Sequence, residues 1–285
     1  MKSFGALSII FIVSITILPN AYAEDWNFFD WLTNLFGESE KQTSDTMNAS
    51  TPISDTKKAA IIDQLERDFP NPYLQNKTIT YLEAAGFEVD LYTYEDITID
   101  FYKNLPSMDY EFIVFRTHAL AIKDENKEPS SWMFTGELYS EKKYIGDQLA
   151  NKISRAVPYL ANTADNLGFE TYSKDRHFIV SSLLVSDLMV GLFPDSVIIL
   201  GGCDTAFYPH FGPAFLDRGA SSVLGWSGLV NAHENDQVIM SLVEDIVVNG
   251  LEIDDAVDSV MKELGEDGKN KPRLVHYSSG ASGEV

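Results

Sequence analysis

Cysteine is almost absent from this chain, with one in 285 residues, Cys203. A single thiol cannot close a disulfide within the molecule, so a hydrophobic core has to hold the fold. Positive charge is scarce as well. Lysine and arginine number 21 against 43 aspartates and glutamates, a formal charge of -22. That balance excludes the attraction that nucleic acids and anionic membrane surfaces require. Zinc-type spacing is missing, because Cys203, Asp204, His210 and His233 fall into no ligand pattern, and no metal or other cofactor is expected. The serine-hydrolase elbow G-x-S-x-G is missing too, since Gly225-Trp226-Ser227-Gly228 runs on into Leu229.

Long uncharged apolar runs are also lacking, apart from one at residues 4–18. Lys2 precedes it, and Pro19-Asn20-Ala21-Tyr22-Ala23 closes it with an A-x-A site directly before Glu24-Asp25. Residues 1–23 therefore read as a signal peptide cleaved after Ala23, which implies a secreted or extracytoplasmic protein. No second run can span a bilayer, so a mature chain without a transmembrane helix is expected.

What is present is enough apolar residue, 45% of the chain, for one large domain with appendages. Residues 24–54 form a dense aromatic segment, from Trp26 through Phe28, Phe29 and Trp31 to Phe36, followed by a Ser- and Thr-rich flexible linker. The aromatic piece is open to three readings: contact with lipid or a partner, a pro-segment over the functional edge, or docking on the domain surface. Asn48-Ala49-Ser50 and Asn76-Lys77-Thr78 fit the glycosylation acceptor pattern. Residues 55–265 carry the domain itself, and residues 266–285 a tail rich in Gly, Ser and Lys. The protein is expected to be a monomer.

Within the domain, strand and helix patterns alternate. Residues 57–63 read as a strand, 74–85 as a helix closed by Gly86, 87–94 as a second strand, and 97–105 as a helix before Pro106. Residues 111–119 follow as a third strand. This alternation predicts an α/β fold, a mostly parallel sheet with helices on both faces. The spacing then breaks over an insertion, suited to a lid or substrate loops, in which Trp132-Met133-Phe134 is β-like, 144–160 reads as helix and 178–181 as a short strand. Order returns with a strand over the four apolar residues from Val197 that stops at Gly201-Gly202, a helix around 213–218, a strand at 222–226 and a long helix over 233–249 capped by Gly250.

Two strands end in reactive side chains. E-F-I-V-F-R-T-H-A delivers His118 just past its last hydrophobic residue, and V-I-I-L-G-G-C-D-T delivers Cys203 just past a glycine pair. If the strands are parallel neighbours, both groups leave the carboxyl edge of one sheet, where open α/β sheets bind ligands. A helix following Cys203 would place its thiol near a helix amino end that favours thiolate. An imidazole beside a thiol forms an acyl-transfer dyad, and backbone N–H groups of Cys203 and Ala119 are positioned to hold an oxyanion. Asp63, ending the first strand, is a candidate to orient His118. Asp204, Trp226 and Ser227 are candidates for substrate contact, with the acid suited to a basic P1 side chain.

The paired blocks F-I-V-F-R-T-H and V-I-I-L-G-G-C, together with D-R-G-A-S-S-V-L-G-W-S-G at residues 217–228, resemble the caspase-like cysteine peptidases, the group of gingipains, clostripain, legumain, metacaspases and separase. The resemblance covers roughly residues 57–262, by pattern more than by identity. It implies a three-layer αβα sandwich with a mostly parallel central sheet, His118 as general base or acid, Cys203 as nucleophile, and a peptide or protein as substrate. Gly202 matches the family's small residue before the cysteine. Ala119 departs from the glycine that usually follows the histidine. That departure keeps a second function open, a catalytically inactive domain of the same fold that binds peptides or proteins at the cell surface.

Overall fold

Short β-rich segments that are apolar at every position can only be strands covered on both faces. In the computed structural model, the A-A-I-I run of K-K-A-A-I-I-D lies in such a strand, with Ala59 to Ile62 and the terminal Asp63 all fully buried. Residues 56–123, 129–158, 175–265 and 271–279 are described. The expected signal peptide, aromatic segment and linker lie outside them. The elements in chain order are β1 (Lys57–Asp63), α1 (Pro72–Ala84), β2 (Phe87–Thr93), α2 (Ile99–Asn104), β3 (Phe112–Arg116), β4 (Ala119–Ile122), β5 (Ser130–Leu138), α3 (Ile145–Leu149), β6 (Ile153–Ala156), β7 (His177–Ser181), α4 (Ser182–Leu188), β8 (Val197–Gly201), α5 (Phe211–Asp217), β9 (Ser222–Trp226), α6 (Ala232–Val243), α7 (Ile253–Glu263) and β10 (Leu274–Ser278).

Six strands form the main sheet in the order β10-β9-β8-β3-β1-β2. Every neighbouring pair is parallel except β9 with β10. The expected α/β fold with a mostly parallel sheet is therefore present. Side chains alternate between two cores, as the period of two requires. Ile61, Val114, Ile199 and Leu224 pack on one face with Leu74 and Leu82 of α1, Ile239 and Leu242 of α6, and Val260 of α7. Ile62, Phe115 and Leu200 pack on the other with Tyr102 of α2, Leu184 of α4 and Phe215 of α5.

The insertion folds as a second, antiparallel sheet of order β4-β5-β7-β6. Met133, Phe178 and Val180 from it join the core on the second face. The helix read over 144–160 is corrected here: α3 stops at Leu149, and Ile153–Ala156 is a strand paired with β7. Asn151 in the left-handed region, φ 55°, ends the helical path, and burial of Ile153 favours pairing over a further turn. The sheet also runs on beyond Gly265, because β10 pairs antiparallel with β9 from Leu274↔Trp226 to Ser278↔Ser222. The long helix keeps α geometry only to Val243 and continues as a π turn over Glu244–Val248. Among the described residues no helix is long and apolar enough to cross a membrane.

Candidate active site

Strands β3 and β8 are parallel neighbours, with Arg116 paired to Gly201 at their carboxyl ends. His118 and Cys203 each follow two residues beyond that last pair. Adjacent strands lie about 4.8 Å apart, so the register brings the two residues to neighbouring positions on one sheet edge. Gly202 makes the approach possible. A Cβ there would sit 2.5 Å from the Thr117 carbonyl oxygen, so only glycine lets the two strand ends pass this closely. His118 and Cys203 line one cavity of about 110 Å³, with walls from Leu65, Phe69, Leu120, Phe134 and Val230.

The loop after β1 sets the imidazole. Gln64 Oε1 accepts the His118 backbone N–H at 2.9 Å, and Phe69 and Phe134 meet the ring edge-on with centroids 5.9 and 5.8 Å away. His118 Nε2 lies 3.3 Å from Asp68 Oδ2, near enough for an ion pair. Burial raises the Asp68 carboxyl. Contacts with His118 and Arg67 outweigh it and hold the group below the ordinary carboxylate range, so Asp68 is an anion at neutral pH.

Asp63 does not orient His118. Its Oδ1 receives Arg116 Nη1 at 2.8 Å and its Oδ2 receives Gln75 Nε2 at 2.9 Å. Arg116 also grips both oxygens of Asp236, at 2.6 and 2.9 Å, and the Phe69 carbonyl at 2.8 Å. This buried cluster anchors the loop that presents Asp68 and Phe69 to the imidazole. Asp68 was legible in the sequence only as one of three acids in D-Q-L-E-R-D; the pattern does not say which of them turns inward.

The helix amino end expected beside the thiol is not there. Turns follow Cys203, and α5 begins only at Phe211. Instead the thiol donates to the Val230 carbonyl at 3.2 Å, and burial pushes its pKa up. Alkylation of Cys203 by iodoacetamide in the resting protein is therefore expected to rise with pH to a midpoint above the ordinary 9.0. A midpoint near 7 would show a thiolate pair that this geometry lacks. The sign for stability follows: a raised thiol pKa favours the folded state fully below 9.0, and the benefit is lost as pH climbs through the folded value.

Asp204 lines the cavity in the left-handed region, φ 58°. Burial holds its carboxyl above the ordinary range, a backbone hydrogen bond from Ala121 offsets only part of that, and it makes no ion pair among the described residues. Ala119 also lines the cavity and starts β4 with extended backbone. Gly202 N–H is committed to the Leu200 carbonyl at 3.0 Å.

Trp226 and Ser227 do not reach the cavity. Trp226 is 2% exposed and donates Nε1 to Asn235 Oδ1 at 2.9 Å. Ser227 exchanges two hydrogen bonds with the backbone of Arg273. Leu274 of β10 pairs with Trp226, and the preceding Arg273 holds Ser227, so both residues sit at the β9–β10 edge and not at the cavity. Asn235, absent from the sequence reading, lines the cavity and donates Nδ2 to the Gly201 carbonyl at 3.3 Å. Among the described residues, no group of three or more His, Cys, Asp or Glu side chains could hold a metal ion. No protein-family model matches the chain, and no curated protein matches it in sequence.

Proposed function

We propose that the chain is an exported cysteine-type endopeptidase of the caspase-like kind. The observation that carries this reading is the register Arg116↔Gly201, which puts His118 and Cys203 in one cavity on the carboxyl edge of a mostly parallel sheet. Helices on both faces of that sheet suit the three-layer sandwich the resemblance implies.

In the proposed reaction a peptide displaces the Cys203 thiol from Val230, and His118 takes the thiol proton. Sulfur bonds to the scissile carbonyl carbon, and the oxyanion rests on the backbone N–H groups of Cys203 and Ala119. The C–N bond then breaks as His118 returns the proton to the leaving amine, and water hydrolyses the thioester. Ala119 serves as well as glycine in this role, because its backbone is extended and demands no positive φ. Asp68, 3.3 Å from Nε2, fixes the ring and steadies the imidazolium. Asp204 supports a basic P1 side chain, since a cation there would meet a carboxylate that has no ion pair.

One observation favours the second reading, a non-catalytic peptide-binding domain. The resting thiol is neutral and already hydrogen-bonded to Val230. The two readings separate on labelling of the chain without residues 1–23 by an acyloxymethyl ketone probe carrying Lys or Arg. Labelling that is lost in both His118→Ala and Cys203→Ala upholds the peptidase. Folded protein that stays silent to this probe and to a set with other P1 residues upholds the binding domain.

A further inference from the structure

A second cavity, of about 260 Å³, lies behind the wall of the first. Val230 lines both, and its carbonyl is the group that holds the Cys203 thiol. Trp226, also in the second cavity, is tied through Asn235 to the Gly201 carbonyl, two residues before Cys203. The segment from Trp226 to Asn235 is thus a shared partition with one face on the thiol and the other on this second space.

Trp226, Val257, Met261 and Leu274 give the second cavity an apolar body. Four exposed ionic side chains also line it, Glu234 and Asp258 as acids and Lys271 and Arg273 as bases. None of the four makes an ion pair among the described residues; Lys271 donates only to the Gly265 carbonyl, at 3.4 Å. Charges of both signs with no ion pair among the described residues, set around an apolar body, complement a small zwitterion with an apolar side chain, and the volume of about 260 Å³ lies below the 300–1,000 Å³ usual for larger ligands.

We infer that this cavity binds a free α-amino acid with an apolar side chain, and that its occupancy controls the thiol. A side chain packed against Val230 holds that residue's carbonyl on the Cys203 S–H, so the bound state keeps the thiol quiescent. Such regulation does not depend on peptide hydrolysis, because it acts on the reactivity of Cys203 itself.

Calorimetric titration of the chain lacking residues 1–23 with L-leucine, N-acetylleucine and leucinamide tests the binding. Saturable binding of leucine is expected, several-fold weaker for each half-charged analogue and for Arg273→Gln and Glu234→Gln. Met261→Trp, which fills the cavity, should abolish it. In parallel, saturating leucine should slow iodoacetamide alkylation of Cys203 by at least about fivefold, the lower end of ordinary coupling between sites. Absence of leucine binding, binding indifferent to these three substitutions, equal affinity for a half-charged analogue, or an unchanged alkylation rate would each overturn the inference.

Discussion

Cys203→Ala is expected, under the proposed peptidase reading, to reduce peptide hydrolysis to the uncatalysed background while leaving the fold in place. In the proposed reaction the thiol is the nucleophile, and its contact with the Val230 carbonyl is a single hydrogen bond. His118→Ala should leave a trace, with a loss of about 10²–10⁴-fold, the usual worth of a positioned acid–base group. Asp68→Asn should cost less, because it keeps the shape of the side chain beside Nε2 and removes only its charge. The order of the three losses is what the geometry demands: nucleophile, then proton carrier, then the group that fixes the carrier. Rates on a mixed peptide library, read by mass spectrometry beside circular dichroism of each variant, measure it. A Cys203→Ala protein that cleaves at the parental rate would end the peptidase reading. An Asp68→Asn loss equal to that of His118→Ala would show that Asp68 does more than position the ring.

Arg116→Met should be the most destabilising single change in the neighbourhood of the site. The guanidinium is 1% exposed and is shared by Asp63 and Asp236, themselves almost wholly buried. Breaking a buried ion pair from one side leaves uncompensated charge in the core, at a cost of about 3–5 kcal/mol. Here two carboxylates lose their partner at once. Asn71, which donates to Asp236 at 2.8 Å while capping the start of α1, and the Phe69 carbonyl are disturbed with them. Urea unfolding followed by tryptophan fluorescence gives the loss directly. Adding Asp63→Asn and Asp236→Asn to Arg116→Met should recover a large part of it, since neutral amides have no buried charge to strand. A single-mutant loss under about 1 kcal/mol, the scale of an exposed pair, would mean that water reaches the cluster. The same variant should also lower activity beyond its loss of fold, because Phe69 and Asp68 lean on the cluster from a single short loop.

The relation of sequence to site is clearest in the pair Asp63 and Asp68. They lie five positions apart in one acidic stretch, and nothing local distinguishes them as partners of His118. Asp63 ends β1 with its side chain toward Arg116, 53 positions away, and Asp236, 120 positions beyond Arg116, completes that cluster. Asp68 is left to face the imidazole because the loop is drawn inward by those long-range bonds. Residues 144–160 make the same point for secondary structure. Their local composition suits a helix, yet pairing with β7 converts Ile153–Ala156 into strand. The thiol's state was likewise hidden, since its acceptor, the Val230 carbonyl, is 27 positions distant.

By itself the sequence determined the buried strands, the glycine pair that lets two strand ends meet, and the delivery of His118 and Cys203 past those ends. These depend on side-chain period and on steric limits within a few residues, which any chain of this composition obeys. The tertiary structure alone decided which carboxylate steadies the histidine, that the thiol rests neutral on a carbonyl instead of ionised at a helix end, and that Trp226 and Ser227 are held along the β9–β10 edge, away from the cavity. Each of these rests on desolvation and hydrogen-bond satisfaction among groups far apart in the chain, and such balances exist only once the core has closed around them.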